Sequence, residues 1–311
     1  MSNLIYETYT HDVFGNCLML KNGVAELAVS LDFGPRVLHY ALAGKENMMF
    51  NDLAKRPLGD PLETYGGDQC VLYGGHRIWL SPEVLPRCYH PDNTPAEYEK
   101  HDNGFIIKGA IEKFTGIQKV MNINMAEDSS IVRIDHSIIN HCVWDIELGL
   151  WCITMLAPGG KEIIPMPNRM TGVLHNRSIS LWDYSDMNDG RVYWGKDFIT
   201  LTGDPNYTQA FKLGLNNEAG WGAYFNRGQV FLKFFDPIVN GVLPDNGCNY
   251  ETYTNGLMIE VESLSDIKLL PPGGSISHAE EWALYEADAV PGCNENEMRG
   301  AVDKYLYRRD N

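Results

Sequence analysis

Residues 117–140 read IQKVMNINMAEDSSIVRIDHSIIN. Two β-rich runs flank the polar tip AEDSS. In the second run Val132, Ile134, His136 and Ile138 fall on one face, because side chains alternate sides along a strand. The tip has the composition of a hairpin connection. The stretch therefore predicts paired strands with one face turned toward a core.

The same pattern extends outward. Upstream lie the β-rich runs VAELAVS (24–30) and GFIIKGAIE (104–112). Downstream come DIELGLWCITML, SISLWDY, FITLTG, AFKLGL, WGAYF, QVFLKFF, LMIEVESL and SISHAEEWALYEA. Turn clusters such as APGG, DMNDGR, GDPN, FNRG, PDNG and PPGG separate them. Many short strands broken by Gly, Pro, Asn and Asp predict an all-β sandwich. Only 294–309 reads as a helix, with Asn294 as its cap and Met298, Val302, Tyr305 and Leu306 on one stripe. No linker-like segment or internal repeat breaks the chain, so residues 1–311 read as one domain.

Bulk properties narrow the function. The formal net charge is −16, from 41 acids against 25 bases, and such a surface repels phosphate backbones. Binding to nucleic acid or to anionic membranes is not expected. Seven cysteines at wide spacings, with no C-x-x-C, fit reduced thiols in a cytoplasmic protein better than a disulfide framework or a zinc knuckle. The N-terminus lacks the basic-then-apolar pattern of a signal peptide, and no apolar run is long enough to span a bilayer. The local signatures of nucleotide-binding loops, zinc proteases and serine hydrolases are missing. No cofactor and no metal is expected.

Four clusters could carry chemistry. In LYGGHRIWLSPE (72–83), His76 and Arg77 follow two glycines and Trp79 follows them. The residues read either as a cleft rim with a sugar-stacking indole or as a turn and strand whose tryptophan faces the core. In IINHCVWDIEL (138–148), Asn140-His141 ends a strand. His141 could exchange a proton near neutral pH, or could be a strand-end histidine bonded to backbone. In PDNGCNYETYTNG (244–256), Glu251 sits among Tyr250, Thr252 and Tyr253, where desolvation would raise its pKa; the alternative is a solvated loop glutamate. Residues 168–194 interleave polar and aromatic groups, including Asn176, Arg177, Trp182 and Asp183, as a carbohydrate groove does and as turns also do. Lys233 shares a strand face with Phe231 and Phe235, and needs a partner if that face is inward.

Taken in order, these stretches resemble the galactose mutarotase-like (aldose 1-epimerase) superfamily, in a bacterial branch of it. NHCVWDI is similar to the mutarotase Asn-His segment, and YETY to the late Glu-Thr-Gln segment. LYGGHRIW lies where mutarotases have a His-Gly-Gly turn. GPRVLHYALAGKENMMF, WLSPEVLPRCYHPDN and LPPGGSISHAEEW also look typical, and the motif order covers nearly the whole chain. The resemblance implies a twisted β-supersandwich with a sugar cleft on one concave sheet, and interconversion of aldose anomers. It implies His141 as the acid at the ring oxygen and Glu251 as the base at the anomeric hydroxyl. His76, Arg77 and Trp79, with Asn140, Arg177, Asp183, Lys233 and Tyr253, form the expected sugar-contacting set. Tyr73 stands where mutarotases place a second histidine, and Asp183 and Asp245 are the candidates for the aspartate that holds a distal hydroxyl. The partner is then a small sugar. The same cleft could also serve a non-catalytic sugar-binding protein, or a glycoside hydrolase or lyase, which usually needs two carboxylates facing one bond.

Overall fold

A computed structural model describes residues 4–238 and 241–306, and its strands pair antiparallel throughout. The first sheet runs in the order Ile5–His11, Gly15–Lys21, Ala25–Ser30, Val37–Leu42, His76–Ser81, Ile146–Leu156, Ile259–Leu264, Tyr250–Thr254, Phe211–Leu215 and Ile179–Leu181. The short strand Lys268–Leu270 pairs with the start of Ile146–Leu156. The second sheet runs Val192–Trp194, Phe198–Thr202, Lys161–Pro165, Trp221–Asn226, Gln229–Phe235, Ser275–Glu286, Val132–Asn140, Ile117–Met125, Gly104–Lys108 and Glu97–His101.

Residues 117–140 form the expected hairpin, Ile117–Met125 against Val132–Asn140. Val132, Ile134, His136 and Ile138 are all fully buried, on the face turned to the other sheet. Ile78, Leu80, Leu150, Leu213 and Val261 from the first sheet and Ile123, Ile134, Phe231 and Trp282 from the second share one apolar core. This is the all-β sandwich that the strand pattern predicts. The helix forms over Glu295–Leu306, and the Asn294 side chain accepts from the backbone N–H of Asn296 at 3.0 Å and of Glu297 at 3.2 Å. Its Met298, Val302 and Tyr305 pack on the outer face of the second sheet against Ala223, Phe225 and Val230. The expected positions 307–309 lie outside the described residues.

The central strands of the first sheet differ from the hairpin. His76–Ser81 and Ile259–Leu264 are buried at every position, whereas Ile117–Met125 alternates. Burial on both faces needs a second cover besides the opposite sheet. Loops from residues 56–58, 83–89, 182–185 and 255–258 supply it and leave a cleft between themselves and the strands.

A polar seam runs through the core between the sheets. Lys233 is fully buried, and its ammonium donates to Glu280 Oε1 at 2.8 Å and to the carbonyls of Val261 and Cys152 at 2.8 and 3.2 Å. Trp282 Nε1 donates to the other Glu280 oxygen at 2.8 Å. The neighbouring histidines have one consistent proton order. His136 Nδ1 donates to the His278 carbonyl (3.0 Å), so its Nε2 accepts from His76 Nε2 (2.7 Å), and His76 Nδ1 then accepts from Thr154 (2.8 Å). Ser263 Oγ donates to Glu280 Oε1 at 2.5 Å and accepts from His278 Nε2 at 2.7 Å. The buried polar side chains of this seam thus meet one another or a backbone carbonyl, which is the condition for keeping charge in a core. His76 and Lys233, both expected at the sugar, therefore lie on the core-facing side with their hydrogen bonds spent. The reason is strand parity: Lys233 goes inward with Phe231 and Phe235, and His76 with Ile78 and Leu80.

Candidate functional site

The cleft floor is built by five adjacent strands whose odd or even positions point the same way. Pairing aligns Gly214 with Glu251, Glu251 with Glu262, Glu262 with Ile153, and Ile153 with Arg77. The next row aligns Lys212 with Tyr253 and Tyr253 with Glu260. Trp151 pairs with Trp79 in the row on the other side of Ile153 and Arg77. Gly214 has no side chain for a steric reason: a Cβ there would meet Cys248 Sγ at 2.6 Å and Glu251 Cγ at 3.1 Å. The Gly74-Gly75 turn also needs glycine, since both residues adopt positive φ (87° and 72°) against the Phe50 and Val37 carbonyls.

Over this floor lies a cavity of about 330 Å³, near the lower end of small-molecule sites. Arg77, Trp79, Trp151, Lys212, Tyr253 and Glu260 line its base; Arg56, Leu58, Glu83, Tyr89 and Tyr184 line its walls. Trp79 packs edge-on to Tyr89 with centroids 5.0 Å apart and lies 5.3 Å from Trp151. The aromatic walls offer flat apolar faces, and the polar groups between them offer hydrogen bonds, the usual composition of a small-ligand site. A larger cavity of about 440 Å³, between residues 90–94 and 109–114, carries charges that are already matched. There Lys119 pairs with Glu112 at 2.7 Å, and Arg36 behind it pairs with Asp92 at 2.6 Å.

Electrostatics single out Glu251, Glu260, Glu262 and Lys212. The Lys212 ammonium lies 2.7 Å from Glu251 Oε2 and 3.3 Å from Glu262 Oε2. It also faces the rings of Trp151 and Trp182 at 4.2 and 4.6 Å. Trp151 Nε1 donates to Glu262 Oε2. Burial would strip Lys212 of its proton, but the surrounding carboxylates, Glu262 first and then Glu251, raise its pKa above the ordinary lysine value. Burial drives Glu251 far above the usual carboxylate range, against the pull of Lys212. Glu260 is pushed up to about 8, by burial first and by the Glu262 carboxylate second. Of the three acids, Glu260 lines the cavity; Glu251 and Glu262 are fully buried below it.

The structure therefore sorts the expected site residues. Arg77, Trp79 and Tyr253 meet at the cavity, and Glu251 lies on the same face beneath Lys212. His141 does not come to Glu251. It is exposed at the end of the Val132–Asn140 strand in the other sheet, 3.2 Å from Gln118 Oε1. Asn140 is buried there and holds the following turn, donating to the carbonyls of Trp144 and Leu270, each at 3.0 Å. Arg177 donates to the Pro167 carbonyl at 3.0 Å, within its own loop. Asp183 is exposed beside Trp182 and does not line the cavity. Tyr73 stacks on Phe33 at 3.8 Å and belongs to a separate apolar cluster. Lys212, Glu260, Glu262 and Trp151 are the functional candidates that the sequence reading passed over. For the two glutamates a signal was present: in Ile259–Leu264 they fall at alternate positions, on the face opposite Ile259 and Val261.

No family model and no curated protein sequence matches the chain. Solved structures do. A galactose mutarotase-like protein from Clostridium acetobutylicum superposes with a TM-score of 0.54 at 10% identity, covering 91% of this chain and 99% of that one. One from Lactobacillus casei gives 0.54 at 8% identity over 86% and 100%. The Slr1438 protein from Synechocystis sp. PCC 6803 gives 0.53 at 13% identity over 91% and 96%. The chain thus has the galactose mutarotase-like β-sandwich fold, and at these identities the likeness speaks for the fold alone.

Proposed function

We propose that the cleft binds a monosaccharide in its pyranose form and interconverts the anomers, with Glu260 as the proton-exchanging group. The observation that carries this reading is a cavity-lining carboxyl whose pKa of about 8 keeps it protonated at neutral pH, set between aromatic walls. A neutral carboxyl can act at both ends of the reaction. Its O–H gives a proton to the ring oxygen as the C1–O bond breaks, and its carbonyl oxygen takes the proton leaving the anomeric hydroxyl. The open aldehyde rotates, the same transfers run in reverse, and the acid is regenerated. Lys212 stays protonated throughout as a fixed cation, held by Glu251 and Glu262. In this scheme Glu251 acts through Lys212, and His141 has no part.

The test is exchange NMR of anomer interconversion across a panel of aldoses, with wild type and Glu260→Gln. The reading fails if no sugar equilibrates faster than in buffer, or if the Gln variant keeps the wild-type rate. Saturable binding without acceleration would instead select a sugar-binding protein. A second reading, glycoside cleavage, draws on Glu83, which lines the same cavity and accepts from Tyr89 at 2.5 Å. Release of a chromogenic aglycone that disappears in both Glu83→Gln and Glu260→Gln would establish it.

A further inference from the structure

The cation that the cleft leaves unmatched is Arg77. It is nearly buried, 4% exposed, on the cavity floor. Among the described residues it makes no hydrogen bond or ion pair, and its Nε is buried without an acceptor. Its guanidinium carbon sits over the Trp79 ring, 4.1 Å from the centroid. A buried guanidinium without an acceptor is costly, and its planar fork matches a carboxylate. The neighbouring charges do not fill that role. Lys212 is the cation that Glu251 and Glu262 hold, and Glu260 is pushed toward its neutral form by burial.

We propose that the sugar taken by this cleft is a uronate, a pyranose whose carboxylate accepts a bidentate pair of hydrogen bonds from Arg77. The inference rests on the sugar-binding reading above and narrows it to a substrate class. A monoanion fits better than a phosphate ester: a dianion would set two charges beside Glu260 and Glu262, with Lys212 already engaged. Trp79 and Trp151 would take the apolar face of the ring.

Isothermal titration of the full chain tests this, using hexuronates of gluco, galacto and manno configuration, the parent aldohexoses, and the corresponding hexose 6-phosphates. For at least one configuration the uronate should bind roughly 10- to 100-fold tighter than its parent aldose, the range of a charge-assisted bidentate pair. Arg77→Gln should bring that ratio close to one, and Arg77→Lys should keep part of it. Circular dichroism and thermal unfolding verify that each variant is folded. Equal affinity for uronate and aldose in the wild type overturns the inference and leaves the sugar-binding reading standing. A ratio that survives Arg77→Gln, or a phosphate ester that binds more tightly than the uronate, also overturns it. Binding of no sugar at all removes the broader reading and this one together.

Discussion

Lys212 and Glu251 meet as a buried pair, Nζ to Oε2 at 2.7 Å, below the floor of the cleft. The lysine comes from a strand next to that of the glutamate, one row away in register. Two indoles and a second carboxylate complete its surroundings. Lys212→Met removes the cation and strands Glu251 and Glu262. It should cost about 3–5 kcal/mol in chemical denaturation, the range for breaking a buried pair from one side. The double variant Lys212→Met/Glu251→Gln should recover part of that loss. A single variant as stable as wild type would show that the pair contributes little.

Activity should follow the protonation of Glu260. With a pKa of about 8 in the folded protein, the active neutral form is nearly complete at pH 6. The value of kcat/KM for anomer exchange should therefore fall as pH rises through about 8. A rate that rises across that range would mean that the carboxylate, not the acid, is the working form.

Stability should also depend on pH, with a maximum in mildly acidic solution. Glu260 and Glu162 both move from the ordinary 4.5 up to about 8, each by burial, so the folded chain keeps protons that the unfolded chain has released. Their contribution is present below 4.5 and is lost as pH rises toward 8. His278 moves the other way, from 6.5 down to about 4, because burial disfavours its charged form. Its contribution is present above 6.5 and is lost as pH falls to 4. The two effects oppose each other between 4.5 and 6.5, and above 6.5 only the acids act. Thermal unfolding should show Tm declining from pH 6.5 to 8.5, with Glu162→Gln flattening that decline. A Tm that climbs steadily over the same range would contradict the assignment.

Lys233 should behave as a core residue. Lys233→Met leaves Glu280 buried without its cation and should cost about 3–5 kcal/mol. The folded fraction should bind sugar with wild-type affinity, because the ammonium faces the seam and not the cavity. Loss of affinity at full stability would place it at the ligand after all.

Much of the fold was legible in the sequence because strand periodicity and turn chemistry are local. The hairpin at 117–140, the capped helix from residue 295 and the long run of short strands all follow from spacing and from Gly, Pro, Asn and Asp. The site was legible only in part. The same period of two could have shown that His76 and Arg77, adjacent on one strand, must point to opposite faces. It could also have shown that Glu260 and Glu262 share a face, opposite Ile259 and Val261. What no local pattern contains is which strands become neighbours. Lys212, Glu251, Glu262 and Arg77 come from four strands, and their charges affect one another only because the sheet order places Phe211–Leu215, Tyr250–Thr254, Ile259–Leu264, Ile146–Leu156 and His76–Ser81 side by side. The sequence by itself determined the β architecture and the types of group available for chemistry. Tertiary structure decided which groups meet, since pairing between distant strands depends on burial summed over two whole sheets, and a charge buried by that pairing takes its pKa from neighbours far away in the chain.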